Sequence, residues 1–351
     1  MRSLTFVVGT GRSGSTALSR VLSTHPDVLS LNELFASVSH PLAASGEVLT
    51  GAEFWGLLSA PNPVFDAMTR SGVPLPEFLY TRRPGRYAAD TTGIPALSLM
   101  VLPHLADDPD ALLDALATEV TGWPARPVPA QWRALFDALA ARTGGAHAAV
   151  ERSGYSTGAI PWLRRGFPEA RFVHLVRDGP DCALSMSRHP GYRMITQMRE
   201  ITERCGVATP AELTPQQVAG LPPHLAGLLE DPFDPALVLR RRLPVTRFGA
   251  LWSELVVEAE EHLAAVPEED RTTLGYEGLL DAPREELARL ARFVGVDPLP
   301  GWLTVGAALL DGTGRRGSSL ALPPSELRAL RESCAAGTRA VGGVDGVRRP
   351  G

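Results

Sequence analysis

The densest phosphate-binding chemistry in the chain lies in Gly9-Thr10-Gly11-Arg12-Ser13-Gly14-Ser15-Thr16. Glycines at 9, 11 and 14 let successive backbone N–H groups turn toward one point, and a helix opening behind them adds its positive end. Such a nest holds a dianionic phosphate without side chains. The spacing Gly9-x4-Gly14-Ser15-Thr16 comes near the P-loop pattern, with Ser15 standing where a nucleoside triphosphatase has lysine. The cation that reaches the β- and γ-phosphates is therefore missing, and Arg12 lies inside the loop instead. One 5′-phosphate bearing a single transferable group suits this arrangement better than a triphosphate.

Residues 171–188, RFVHLVRDGPDCALSMSR, place an arginine at a strand end and a serine on the helix that follows. Arg177 falls at the carboxyl end of an apolar strand, where ligands of open α/β sheets bind. Ser185 lies two turns along the next helix, from where its hydroxyl can reach back toward Arg177. Arginine grips phosphate with two parallel donors. Asp178 has an alternative reading as a magnesium ligand, which the absent P-loop lysine weakens. Glu33, in Ser30-Leu31-Asn32-Glu33, is the candidate general base, because it follows the first helix and the turn that returns the chain toward the glycine loop. His25 is the rival, although a His-Pro at a helix end more often caps it.

The elements that must position these groups alternate between strand and helix. Strands are expected at Leu4–Val8, Ala148–Arg152, Arg171–Val176 and Arg271–Tyr276. Helices are expected at 16–23, near 51–60, 107–120 and 130–142, from 179 to about 188, from about 235 to 265, and at 283–294. The fold class is α/β: a single P-loop-like domain over the whole chain, 1–351, with a central parallel sheet flanked by helices. Large helical and irregular insertions, about 35–145 and 189–235, are read as a cap over the acceptor site.

Composition limits the partners. The 34 basic residues are all arginine, which removes lysine Schiff-base and Walker-lysine chemistry. A formal charge of −5 argues against a nucleic-acid binder. No apolar run approaches the roughly 18 residues of a membrane span, and Leu4–Val8 is too short for a signal core. Cys182, Cys205 and Cys334 show no metal or redox spacing and read as reduced thiols, so a cytoplasmic location is expected. Eight histidines are scattered, with no metal-ligand cluster. A homodimer is compatible with the sequence.

Gly11-Arg12-Ser13-Gly14-Ser15-Thr16-Ala17-Leu18 followed by His25-Pro26-Asp27-Val28 resembles the 5′-phosphosulfate loop of sulfotransferases, most closely the bacterial members with the motif pattern of the tyrosylprotein type. The resemblance implies 3′-phosphoadenosine-5′-phosphosulfate (PAPS) as donor, adenosine 3′,5′-bisphosphate (PAP) as product, and no metal. It assigns Arg12, Ser13, Gly14, Ser15 and Thr16 to the phosphosulfate, and Arg177 and Ser185 to the 3′-phosphate. Glu33 lies 21 residues after Arg12, the distance of the catalytic base in the tyrosylprotein type. Glu151-Arg152-Ser153-Gly154 is similar to a Glu-Lys-[Thr/Ser]-Pro strand end of bacterial relatives, which implies that Arg152 contacts the sulfuryl oxygens; the family proline is replaced by Gly154. Tyr276, in Gly275-Tyr276-Glu277-Gly278-Leu279, resembles the family tyrosine beside the nucleotide. Arg315-Arg316-Gly317-Ser318-Ser319 stands where relatives close a basic loop over it, so Arg316 and Ser318 are implied contacts, with an exposed turn as the plain alternative. Between these motifs, roughly half the chain shows no such similarity.

The expected activity is sulfuryl transfer by in-line displacement onto a hydroxyl of a small-molecule acceptor, a secondary metabolite or lipid, with Glu33 as base. Tyrosylprotein enzymes are membrane-anchored and act on secreted chains, whereas no anchor is readable here. Residues 51–80 carry Phe54, Trp55, Leu57, Leu58, Phe65, Met68, Leu75, Phe78 and Leu79, an expected apolar lid or simply insertion packing. The rival readings are a P-loop small-molecule kinase using ATP and a non-catalytic nucleotide-binding protein.

Overall fold

The computed structural model describes residues 2–38, 47–144, 147–310 and 316–342. Five parallel strands form its central sheet: β1 (Ser3–Val8), β2 (Val28–Asn32), β3 (Ala148–Arg152), β4 (Arg171–Val176) and β5 (Arg271–Gly275). Their order is β2-β3-β1-β4-β5, so β1 lies in the middle and β3 and β4 flank it. A strand buried on both faces and both edges is built from an unbroken apolar run, and Leu4–Val8 is one.

Alternation along the strands sorts side chains into two cores. Leu4, Phe6, Val8, Leu29, Leu31, Ala149 and Phe172 point to one face, against Trp132, Phe136, Leu163 and Phe167. Phe6 is fully buried there, with the rings of Phe167, Phe172 and Phe35 at 5.4, 5.7 and 5.9 Å. Val7, Val28, Val150, Val173, Leu175 and Leu274 point to the other, against Leu18, Val21, Leu22 and the helix Pro283–Val294. Each such apolar side chain contributes about 1.5–3 kcal/mol by leaving water. Helices thus cover both faces of a parallel sheet, as expected.

Two elements differ from the sequence expectation. β2 carries no strand signal strong enough to stand out, being five residues behind a His-Pro turn, yet it pairs in register with β3 from Val28↔Ala148 to Asn32↔Arg152. The long helix expected over 235–265 is two helices, Pro235–Leu239 and Val245–Leu263. Pro244 separates them: it lacks the N–H that a continuing helix needs and disfavours helical geometry at the residue before it.

The stretches read as insertions are largely helical and share a core. Met68, Val73, Phe78, Met100 from the first pack with Met194, Ile201, Leu225 and Phe233 from the second. The second insertion opens with the 16-residue helix Pro190–Cys205. No helix among the described residues is long and apolar enough to cross a membrane.

Candidate active site

The glycine loop connects β1 to the helix Ser15–Leu22 at the carboxyl edge of the sheet. Its backbone needs glycine where it turns most sharply. Gly14 has φ +90°, and a Cβ there would lie 2.1 Å from the Tyr276 ring. Tyr276 therefore lies directly on the loop, and the Arg177 guanidinium sits 5.1 Å above the centre of the same ring. Arg177 Nη1 donates to the Arg12 carbonyl at 3.2 Å, and Arg12 Nε donates to Ser185 Oγ at 3.3 Å. The two halves read separately in the sequence are thus one cluster. The loop is braced from beneath by Tyr192, whose hydroxyl donates to the Thr10 carbonyl at 2.5 Å, and by the buried Cys182 thiol, which donates to the Gly11 carbonyl at 3.4 Å. Burial pushes that thiol up to about 12, so it packs as a neutral group. Ser13 is buried, Ser15 reaches the neighbouring cavity, and Thr16 is exposed at the helix start.

Beside the loop, Glu33 directly follows β2 and Arg152 ends β3. Both side chains are buried, at 9% and 7% exposure, and they form an ion pair through Arg152 Nη1 and Glu33 Oε1. Arg152 also donates to Ser19 Oγ at 2.9 Å and to Asn32 Oδ1 at 3.1 Å. Glu33 Oε2 accepts the Gly154 N–H at 2.8 Å. A buried pair of charges is tolerated when the remaining donors and acceptors are also used, as they are here. The same strand carries Glu151, fully buried, whose carboxyl accepts the Ser153 hydroxyl at 2.6 Å. Burial, and less strongly the nearby Glu33 charge, raise the Glu151 carboxyl to about 7.

A cavity of about 340 Å³ opens between the loop and the insertions. Arg12, Ser15, Glu33 and Arg152 stand at its polar end, and Phe35, Phe65, Met68, Met100, Trp162 and Met194 form its apolar wall. Of the nine apolar residues expected in a lid, Phe65, Met68 and Leu75 line this space. Phe54, Leu58 and Phe78 are fully buried core instead.

Some expected residues have other partners. His25 is structural: one ring nitrogen contacts the Asp297 carbonyl at 3.0 Å, the other accepts the Asp27 N–H, and the ring packs edge-on against Trp302. Asp178 caps the helix Gly179–Ser187 by accepting the Asp181 N–H at 3.0 Å. Arg316 pairs with Asp281 at 2.6 Å and donates to the Glu277 carbonyl at 2.8 Å. Ser318 opens a short turn whose neighbours are held by Asp181: Gly317 N at 2.6 Å and Ser319 N at 2.8 Å. Asp181 also lies 3.7 Å from Arg177, so the C-terminal loop is fastened next to the anion cluster. Arg315 lies outside the described residues.

Glu77 and His189 had no sequence signal. Glu77 Oε1 lies 3.5 Å from Arg12 Nη1, and Glu77 Oε2 is 3.2 Å from His189 Nε2. Because His189 Nδ1 accepts the Gly191 N–H, Nε2 carries the proton and donates to Glu77. Burial works against the charged form, but the His189 hydrogen bond and the Arg12 charge outweigh it and hold the Glu77 carboxyl below the usual range, so it stays ionised.

The loop, its helix, β2 and Glu33 lie within one contiguous segment. Residues 5–52 match the sulfotransferase family. No curated protein matches the chain in sequence. Solved structures similar to it include the sulfotransferase domain from the Synechococcus PCC 7002 olefin synthase, at 16% identity, covering 95% of both chains, with a TM-score of 0.45. The sulfotransferase domain from the curacin biosynthetic pathway is 14% identical, with 95% of this chain and 98% of that one covered and a TM-score of 0.45. A sulfotransferase from Alicyclobacillus acidocaldarius is 15% identical, with 97% and 94% covered and a TM-score of 0.40. These likenesses are distant.

Proposed function

We propose that this protein is a sulfotransferase that moves a sulfuryl group from PAPS to a hydroxyl of a small-molecule acceptor. The observation that carries the reading is the meeting of Arg12, Glu33 and Arg152, from three different strand ends, around one cavity beside the glycine loop.

In this reading the 5′-phosphosulfate rests on the backbone N–H groups of the loop and the start of the helix Ser15–Leu22, with Ser13, Gly14, Ser15 and Thr16 around it. The 3′-phosphate is held by Arg177 and Ser185, and the nucleoside passes beside Tyr276, with Arg316 and Ser318 on the loop that closes over it. The donor set fits a bisphosphorylated nucleotide: two guanidiniums, a hydroxyl and a glycine turn gather within one cluster.

The acceptor enters the cavity with its hydroxyl toward Glu33. The hydroxyl oxygen attacks sulfur in line, the new O–S bond forms as the S–O bond to the 5′-phosphate breaks, and PAP departs with the bonding pair. Glu33 takes the hydroxyl proton. Arg152 and Arg12 stabilise charge on the sulfuryl and bridging oxygens, where preorganised donors act most strongly. The insertions form the cap, and its apolar wall excludes water from the reacting group.

The test is an acceptor panel with labelled sulfate donor, containing hydrophobic phenols and alcohols, sugars, and tyrosine peptides. Transfer to the phenols or alcohols is expected. Exclusive transfer to peptides or polysaccharides would overturn the small-molecule acceptor. No transfer to any class, together with phosphorylation from ATP, would replace the whole reading by a kinase.

A further inference from the structure

Among the described residues, three that are not glycine have positive φ: Arg12 at 58°, Glu33 at 55° and Tyr155 at 55°. All three line the same cavity. Left-handed backbone is unfavourable for L side chains and persists where the surroundings over-determine it, chiefly at functional sites. Arg12 and Glu33 have parts in the proposed reaction. Tyr155 so far has none.

Its neighbours show how the conformation is imposed. Gly154 N donates to Glu33 Oε2 at 2.8 Å. On the other side, Ser156 N donates to the Gly9 carbonyl at 3.2 Å and Ser156 Oγ accepts the Gly9 N–H at 3.4 Å. Tyr155 is therefore stretched between a tether to Glu33 and a tether to the glycine loop. Glycine, which adopts positive φ freely, stands immediately before it, yet the left-handed position falls on the tyrosine. Core packing does not account for this placement, because Tyr155 is 42% exposed. Its ring meets Tyr192 edge-on at 6.3 Å and leaves further surface at the cavity.

We infer that Tyr155 is a specificity-determining residue whose ring packs against the acceptor, and that the acceptor presents a flat aromatic ring there. Aromatic rings pair edge-on or offset, and the same cavity is also lined by Phe65, Trp162, Met68 and Met194, which suit an aromatic ring by aromatic and sulfur–aromatic contact. The inference rests on the sulfotransferase reading for which group reacts, but not for which group binds.

The experiment is calorimetric titration of 2-naphthol into wild type, Tyr155→Phe and Tyr155→Asn, each saturated with PAP, alongside melting curves. Asparagine tolerates the left-handed backbone and removes the ring. Wild type should bind 2-naphthol, Tyr155→Phe within about twofold, and Tyr155→Asn about tenfold more weakly, the upper range for an aromatic pair. All three should bind PAP alike, and Tyr155→Asn should melt within about 2 °C of wild type or above it. Absent naphthol binding by wild type, equal binding by Tyr155→Asn, or an equal loss in Tyr155→Phe would each overturn the inference. Melting of Tyr155→Asn several degrees lower would also overturn it, since the ring would then serve the fold. Sulfuryl transfer to 2-naphthol is read separately: its absence, with Tyr155-dependent binding intact, counts against the sulfotransferase reading alone.

Discussion

The Arg152 guanidinium holds the Glu33 carboxylate across the paired ends of two parallel strands, and neither side chain exceeds 9% exposure. This pair fixes the orientation of both groups toward the cavity. It also links activity to stability, because removing one member of a buried pair strands the other; such losses are typically about 3–5 kcal/mol.

Glu33→Gln keeps the shape and removes the proton acceptor. Turnover should fall by roughly 10²–10⁴-fold, the usual range for a positioned base, while PAP affinity stays near wild type. Steady-state rates beside calorimetric PAP titrations check this. Near wild-type turnover in the variant would clear Glu33 of the role.

Arg177→Ala should weaken PAP binding by about 10–150-fold, which corresponds to the roughly 1.5–3 kcal/mol of a charged hydrogen bond. The fold should survive, since Asp181 retains the Gly317 and Ser319 N–H groups as partners. Unchanged affinity by calorimetry would remove Arg177 from the nucleotide site.

Asp181→Ala should release the C-terminal loop. Two buried or half-buried N–H groups lose their acceptor, at about 1–3 kcal/mol each, so the melting temperature should drop and proteolysis should appear near residues 316–322. PAP affinity should fall as well if that loop closes over the nucleotide. Wild-type proteolytic resistance would contradict the fastening role.

Glu151 predicts a pH dependence. Its folded pKa, about 7, lies above the ordinary carboxyl value of 4.5, so the folded state binds the extra proton between these values. Stability from this group is then greatest at low pH and declines as pH rises from about 4.5 through about 7. Glu151→Gln, which still accepts the Ser153 hydroxyl, should abolish that decline. It should be the more stable protein at pH 8, by on the order of 3 kcal/mol for a shift of this size. Parallel stability–pH profiles for the two proteins would contradict the assignment.

The parts of the site that were legible share one property: their residues are close in sequence. The glycine loop, Arg177 with Ser185, and Glu33 each follow a strand or helix whose periodicity marks where the chain must turn. Arg152 was legible through resemblance alone, its partner being 119 residues away. Glu77 and His189 escaped because they come from the two insertions, where neither period nor motif indicates which side chain turns inward. Tyr155 escaped for another reason. Its φ is imposed by tethers to Glu33 and Gly9, which exist only once three strand ends are assembled. In the fold, β2 was hidden by its length and Pro244 broke a helix whose apolar spacing continues beyond it.

In the proposed reaction the site takes a nucleotide carrying a 3′-phosphate and one transferable group rather than a triphosphate. Calorimetric titration of the wild-type protein with PAP, and separately with ATP and magnesium, tests it most directly. PAP should bind at least tenfold more tightly if Arg177 and Ser185 hold the 3′-phosphate as proposed, and because Ser15 replaces the lysine a γ-phosphate needs. Tighter binding of ATP with magnesium than of PAP would contradict the account.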